Sequence, residues 1–232
     1  EISQGILQAI FEYQTDICAL TGMDAANASV YDGAVAAAEA AAMCRERGRR
    51  RTLVSAGLHP DAQETVGTYC FGAGEPLETL PLKNGALDLT ALRAALDGTT
   101  AGGIVQAPNY YGVIEDVSAI AEIVHTAGAK LVVSTNPIAC ALLKTPGECG
   151  ADVAVGEGQP LGMPLGFGGP YLGFMACKQD MMRKLPGRIV GRTADAEGRR
   201  CFVLTLQARE QHIRREKASS NICSNQALCA LT

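Results

Sequence analysis

The chain has 232 residues, of which 47% are hydrophobic and 19% charged, and its formal net charge is −4. This length and composition predict one sizeable globular domain with a hydrophobic core. The negative charge argues against a nucleic-acid-binding protein, and the absence of an apolar run of about 18 residues argues against a membrane span.

Two helices are predicted in the first fifty residues. The segment SQGILQAIFEYQTDICALTG has apolar residues at helical spacing, with Ser3 as a candidate N-cap and Gly22 as the end. The segment GAVAAAEAAAMCRERG predicts a second helix that ends at Gly48. Its many alanines let another backbone approach closely, so we expect this helix to be buried.

Strands and helices then alternate. The predicted strands are RTLVSA, PLETLPL, AGGIVQA, AKLVVS, ADVAV, LGFMAC and CFVLTLQ. The predicted helices are PDAQETVGTYC, LTALRAAL, DVSAIAEIVHTAG and a last one from about Ser219 to the end. Continuous apolar strands separated by helices indicate an α/β fold, with a mainly parallel, mixed sheet covered by helices on both faces. A ligand crevice is then expected beyond the carboxyl ends of the strands.

Polar loops at these strand ends supply the first candidate site residues. Asp32 and Gly33 precede the alanine-rich helix, where free backbone N–H groups could bind a phosphate or merely be capped. His59 follows a strand and precedes Pro60, so its imidazole could cover a flat cofactor ring, act as acid or base, or satisfy a local hydrogen bond. Asn109, beside two tyrosines, could bind a ligand or only form a turn.

The densest polar stretch runs from Arg209 to Asn221 and includes His212 and Arg214. Its arginines suit recognition of carboxylate or phosphate groups, whereas a solvated charged face is the alternative.

The nine cysteines occur singly, and their odd number argues against a disulfide framework. We interpret them as reduced, mostly buried residues of a cytoplasmic protein, with a zinc site as the alternative, and we assign no metal ligands. The chain starts without methionine inside a helical pattern and stops inside another. We therefore expect a piece of a longer protein.

Several segments together resemble the P-protein family, the glycine decarboxylases of the glycine cleavage system. They are EISQG, FEYQT, ICALTGMDAANAS, YDGAVAAAEA, PNYYGVIED, VGEGQPLGMPLGFGGPYLGF and REQHIRREKASSNICSNQAL. The resemblance is to the amino-terminal half of the family, which some bacteria make as a separate subunit 1. It implies the aspartate-aminotransferase-like (type I) fold of pyridoxal-phosphate enzymes. Residues 1–232 would be its large domain, without an amino-terminal extension and a carboxy-terminal small domain.

The resemblance also implies an activity and partners. The complete enzyme decarboxylates glycine on pyridoxal phosphate and passes the aminomethyl group to the lipoyl arm of the H-protein. The second subunit would carry the lysine that holds the cofactor. In this chain no lysine occurs between Lys144 and Lys178, and the matching strand is followed by Gln159 and Pro160. Ser134 to Asn136 stand where a carboxylate would be needed for the pyridine nitrogen.

We therefore expect a subunit that lacks a complete site of its own and supports its partner's site. The candidate cofactor-binding residues are Tyr31, Asp32, Gly33, His59, Asn109, Asn136 and Gln159. The candidate catalytic residues are His59, His212 and Arg214. One alternative is a structural or regulatory pseudoenzyme. The other is a self-sufficient desulfurase or aminotransferase, which would need a lysine in the crevice.

Overall fold

Helices and strands alternate through most of the computed structural model, which describes residues 3–209, 211–218 and 226–232. The α-helices in these ranges are α1 Ser3–Thr21, α2 Gly33–Cys44, α3 Pro60–Ala73, α4 Leu89–Ala95, α5 Val117–Thr126, α6 Gln211–Arg214 and α7 Ala227–Ala230. The strands are β1 Ala25–Ala26, β2 Arg51–Ser55, β3 Leu77–Leu80, β4 Leu82–Lys83, β5 Ala86–Leu87, β6 Thr100–Gln106, β7 Lys130–Ser134, β8 Val153–Glu157, β9 Gly173–Cys177, β10 Ile189–Ala194 and β11 Arg200–Thr205.

The main sheet has seven strands in the order β1-β9-β8-β7-β6-β2-β3. The five strands from β8 to β3 are parallel, while β9 runs antiparallel to both β8 and β1. Two small antiparallel pairs, β4 with β5 and β10 with β11, lie outside this sheet. The prediction of a mixed, mainly parallel sheet is confirmed.

Helices cover both faces of the sheet, which the alternation along β7 shows directly. Leu131 and Val133 pack in the core cluster that contains α1, α4 and α5 residues. Val132, between them, packs in the cluster formed with α2 and α3. Successive side chains of a strand point to opposite faces, so a strand buried on both faces is apolar throughout.

The alanine-rich helix α2 is almost entirely buried, as predicted. Its small side chains bring it close to the sheet: a Cβ added at Gly102 of β6 would lie 3.0 Å from the Cβ of Cys44. The helix ends at Cys44 rather than at Gly48, which corrects the predicted boundary. Arg45 adopts an extended backbone, and Glu46 pairs with Arg49 across a tight turn.

Strands β1 and β10 were not predicted, and neither was the two-residue strand β5. The first has only two residues, and the second buries only Ile189 and Val190 before its exposed residues begin. In β1 and β10 the run of apolar residues is too short to be identified from the local sequence. Both form because a partner strand lies alongside. The last predicted helix starts in 219–225, outside the described residues, and only Ala227–Ala230 of its remainder is α-helical.

The described helices include none that combines the length and the apolar character needed to cross a membrane. The eight cysteines in the described ranges are all free thiols, and five of them are buried. Burial, together with the nearby negative charge of Asp152, raises the pKa of the Cys44 thiol to about 12.

Candidate functional site

A cavity of about 530 Å³ lies beyond the carboxyl ends of β6, β7 and β8, beside the N-termini of α2 and α3. We call it the crevice. Four of the residues predicted from the sequence line it, namely Asp32, Gly33, His59 and Asn136. This is the edge of the sheet where parallel strands leave room between their connections to helices.

Asp32 is the N-cap of α2. Its backbone is extended, and its Oδ1 accepts a hydrogen bond of 2.7 Å from Val35 N. An aspartate here satisfies one of the unpaired N–H groups of the first turn and places a negative charge at the positive end of the helix dipole. The carboxylate of Asp32 thus already caps helix α2.

His59 is the N-cap of α3 and lies at the crevice wall. Its Nδ1 accepts a hydrogen bond of 3.2 Å from Asp61 N, so the proton of the neutral ring is on Nε2. Its ring contacts Tyr110 edge-to-face at a centroid distance of 5.1 Å, and Tyr110 contacts Tyr111 in the same way. The imidazole is about half exposed, at 51%. It is held in place and still accessible.

The side chain of Asn109 makes hydrogen bonds within its own loop and to neighbouring segments. The residue is buried, and its Nδ2 donates to Gly85 O and to Glu115 Oε1, both at 2.8 Å. Its Oδ1 accepts from the backbone N–H groups of Tyr111 and Val113. The structure therefore places Asn109 outside the crevice lining, with its amide holding the loop together.

Two further candidates do not line the crevice. Tyr31 precedes the α2 cap and is exposed. Gln159 begins a short 3₁₀ helix after β8, and its Nε2 donates to Met163 O at 2.6 Å. Its neighbour Pro160 lines the crevice instead.

The polar stretch near the carboxyl end is only partly described. His212 and Arg214 lie in the exposed four-residue helix α6, away from the crevice lining. The predicted site segment also includes Ser219, Ser220 and Asn221, which lie outside the described residues.

Glu157, which the sequence reasoning did not select, is the acidic residue at the carboxyl end of β8. Its Oε2 accepts from Gly33 N at 3.0 Å, and its Oε1 accepts from Gln159 N at 3.0 Å and Leu172 N at 2.7 Å. A polar residue ending a buried strand is the signal that selected the other candidates, and it was present here in the sequence VGEGQP.

Among the described residues that line the crevice, none is a lysine. Lys130 and Lys178 lie at the opposite edge of the sheet: Lys130 begins β7, and Lys178 follows the antiparallel strand β9 and donates to Gly22 O. Lys184 pairs with Glu46 beyond the carboxyl end of α2. At the end of β7 stand Ser134, Thr135 and Asn136, none of them a carboxylate.

A second, smaller cavity of about 270 Å³ shares Thr135 with the crevice. Lys144, Cys140 and Cys149 line it together with Glu115. Burial raises the pKa of the Cys140 thiol, which argues against a reactive thiolate. Among the described residues, no group of three or more histidine, cysteine or acidic side chains is arranged to hold a metal ion.

The family model of the glycine cleavage system P-protein matches residues 1–232. The chain belongs to this family. The resemblance found in the sequence segments is confirmed, and the relatives described next favour neither alternative, the pseudoenzyme or the self-sufficient desulfurase or aminotransferase.

P-protein relatives match the whole chain at high identity. The chain is 61% identical over 232 residues to a probable glycine dehydrogenase (decarboxylating) subunit 1 of Desulforamulus reducens. It is 56% identical to the protein of the same name from Desulfitobacterium hafniense. In both cases it spans only 52% of the relative, so the chain covers about half the length of the curated relatives it matches.

Solved structures agree on the fold. The chain matches a crystal structure of glycine decarboxylase (P-protein) of the glycine cleavage system, in inhibitor-bound form, with a TM-score of 0.95 and 50% identity. That match covers all of this chain and 52% of the other. Pyridoxamine-pyruvate aminotransferase from Mesorhizobium loti matches 75% of this chain and 44% of its own at a TM-score of 0.57 and 18% identity, which supports a shared fold only.

Proposed function

We propose that this chain forms part of subunit 1 of a glycine dehydrogenase (decarboxylating). The enzyme would decarboxylate glycine with pyridoxal phosphate and transfer the aminomethyl group to the lipoyl arm of the H-protein. The P-protein family match over the whole chain supports this proposal, as do the names of its relatives. A cytoplasmic location, and an organisation in which residues 1–232 form a single large domain, belong to the same proposal.

We further propose that the second subunit holds the cofactor. The observation that carries this proposal is the crevice without a lysine, since the Schiff base to pyridoxal phosphate is a covalent bond between a lysine amine and the aldehyde carbon of the cofactor. A protonated pyridine nitrogen also requires a carboxylate, and Ser134 to Asn136 provide none. Glu157 is a carboxylate that ends a strand at the crevice, and three backbone N–H groups already donate to it. The residues present do not fit the cofactor.

The role left for this chain is to build and support a shared site. Rim residues at the carboxyl ends of the strands could extend towards a partner, and several are exposed and apolar, such as Tyr111 at 64% and Ile114 at 63%. His59, with its half-exposed imidazole, is the crevice group best placed to exchange a proton or donate a hydrogen bond. Tyr31, His212 and Arg214 are exposed and remain candidates for contacts across the interface. Asn109 would contribute through the shape of its loop.

The test separates cofactor attachment from support. The complete subunit is incubated with pyridoxal phosphate, alone and with the second subunit, then reduced with borohydride and mapped by peptide mass spectrometry. We expect the pyridoxyl-lysine on the second subunit only, and glycine decarboxylation only when both subunits are present. A stoichiometric adduct on a lysine of this chain would refute the assignment of the cofactor. Full activity of the second subunit alone would refute the supporting role.

A further inference from the structure

The carboxylate of Glu157 occupies the N-terminal end of helix α2 from within the same chain. It accepts hydrogen bonds from Gly33 at the start of the helix, from Gln159 in the following 3₁₀ turn, and from Leu172 before β9. These three donors come from separate segments, and the donors on Gly33 and Leu172 are 124 and 15 residues away in sequence. A single side chain therefore gathers three backbone N–H groups at one point.

Backbone N–H groups at the N-terminus of a twelve-residue helix are the usual partners of a bound phosphate. In this chain two of the first three N–H groups of the helix, those of Gly33 and Val35, already have anionic acceptors. The Glu157 carboxylate accepts a hydrogen bond from Gly33 N, and the Asp32 carboxylate accepts one from Val35 N. A phosphate group that approaches this end of α2 would meet the carboxylates of Asp32 and Glu157. The N–H groups of Gly33 and Val35 would not be free to donate to it.

Close packing fixes this arrangement. A Cβ added at Gly33 would lie 3.0 Å from both Glu157 N and Gly156 C, so the helix start rests directly on the end of β8. Burial raises the pKa of the Tyr13 hydroxyl of α1, and the negative charge of Glu157 raises it further. The Glu157 carboxylate is thus a built-in part of the crevice lining.

We propose that Glu157 is an intrinsic anion that closes this crevice to phosphorylated ligands, including the phosphate of pyridoxal phosphate. The crevice stays open to neutral or cationic small molecules only. The proposal rests on the proposed function, because it explains how a chain with this fold directs the cofactor to the second subunit. The absence of a lysine prevents covalent attachment, whereas Glu157 prevents non-covalent loading.

The experiment measures binding to this subunit alone, with no catalytic readout. The complete subunit is titrated by calorimetry with inorganic phosphate and with pyridoxamine 5′-phosphate, which has no aldehyde to react with lysines. We expect no saturable binding to the native protein. We expect Glu157→Ala, which frees the donors and removes the charge, to bind both ligands saturably, at least about tenfold more tightly than the weakest affinity that the native titration could have detected. Excess phosphate should displace pyridoxamine 5′-phosphate from this variant.

Two further variants complete the test. Glu157→Gln keeps an oxygen acceptor and removes the charge, so it should bind more weakly than Glu157→Ala, and it carries the test if the alanine variant does not fold. Glu148→Ala is the matched control, since the Glu148 carboxylate accepts from Thr145 N in a surface turn outside the crevice, and this variant should behave as the native protein does. Saturable phosphate binding by the native protein, or no gain in either Glu157 variant, would overturn the proposal. Either result is independent of whether the two subunits together decarboxylate glycine.

Discussion

Gly173→Ala should destabilise the fold strongly, because the first residue of β9 contacts the segment that leads into α2 at backbone distance. A Cβ at this position would lie 2.2 Å from Asp32 O and 2.7 Å from Val30 Cγ2. An ordinary contact between carbon and oxygen needs about 3.3 Å, so the two backbones would have to separate by about 1 Å.

That separation would weaken two backbone hydrogen bonds, from Val30 N to Gly173 O at 2.8 Å and from Gly173 N to Val30 O at 3.1 Å. Each contributes about 1 kcal/mol, and overpacking a tight contact adds about 1–3 kcal/mol, so we expect a loss of about 3–5 kcal/mol in the free energy of unfolding. Urea denaturation followed by circular dichroism measures this loss.

Gly5→Ala is the matched control. Gly5 lies in α1, and a Cβ there would have no atom within 4 Å. Replacing glycine by alanine inside a helix should stabilise it by about 1 kcal/mol. If Gly173→Ala unfolds at the same urea concentration as the native protein, then the segment that leads into α2 does not pack on Gly173 at backbone distance.

Two other predictions concern pH and the exposed helix α6. Burial and the nearby charge of Glu39 raise the pKa of Tyr69 to about 12, so the folded state holds this proton more tightly than the unfolded state does. The free energy of unfolding should therefore fall between about pH 10 and pH 12, and it should fall less in Tyr69→Phe. Urea denaturation of both proteins at several alkaline pH values measures this. An equal decrease of the free energy of unfolding with pH in the two proteins would contradict the prediction. If α6 reaches the partner's site, His212→Ala or Arg214→Ala should lower glycine turnover about tenfold. Subunit association, measured by analytical ultracentrifugation, should not change. Weaker association with unchanged turnover would contradict the prediction.

Much of the fold could be predicted locally. Strands such as β7 and β8 are apolar on both faces, which identifies a covered parallel sheet without any knowledge of neighbours. The N-cap at Asp32 and the Pro60 that opens α3 were visible as short motifs. Strands β1 and β10 were not, because their apolar pattern is too short and a partner strand supplies their hydrogen bonds.

The candidate site was predicted in position but only partly in content. The rule that ligands bind beyond the carboxyl ends of parallel strands selected Asp32, Gly33, His59 and Asn136, and these residues do meet in one crevice. The same rule selected Asn109, whose amide turns inward to Glu115. Which way a loop side chain points depends on the backbone groups that surround it, and local sequence does not record them.

The sequence by itself determined the order of helices and strands, the α/β class, the family resemblance and the absence of a lysine at the crevice. These follow from residue identity and from hydrophobic spacing along the chain. Only the tertiary structure decided what occupies the end of helix α2. The hydrogen bond between Gly33 and Glu157 joins residues 124 positions apart. It exists because the packing of α2 on β8 brings a backbone donor and a carboxylate to the same point, and no local pattern encodes that distance.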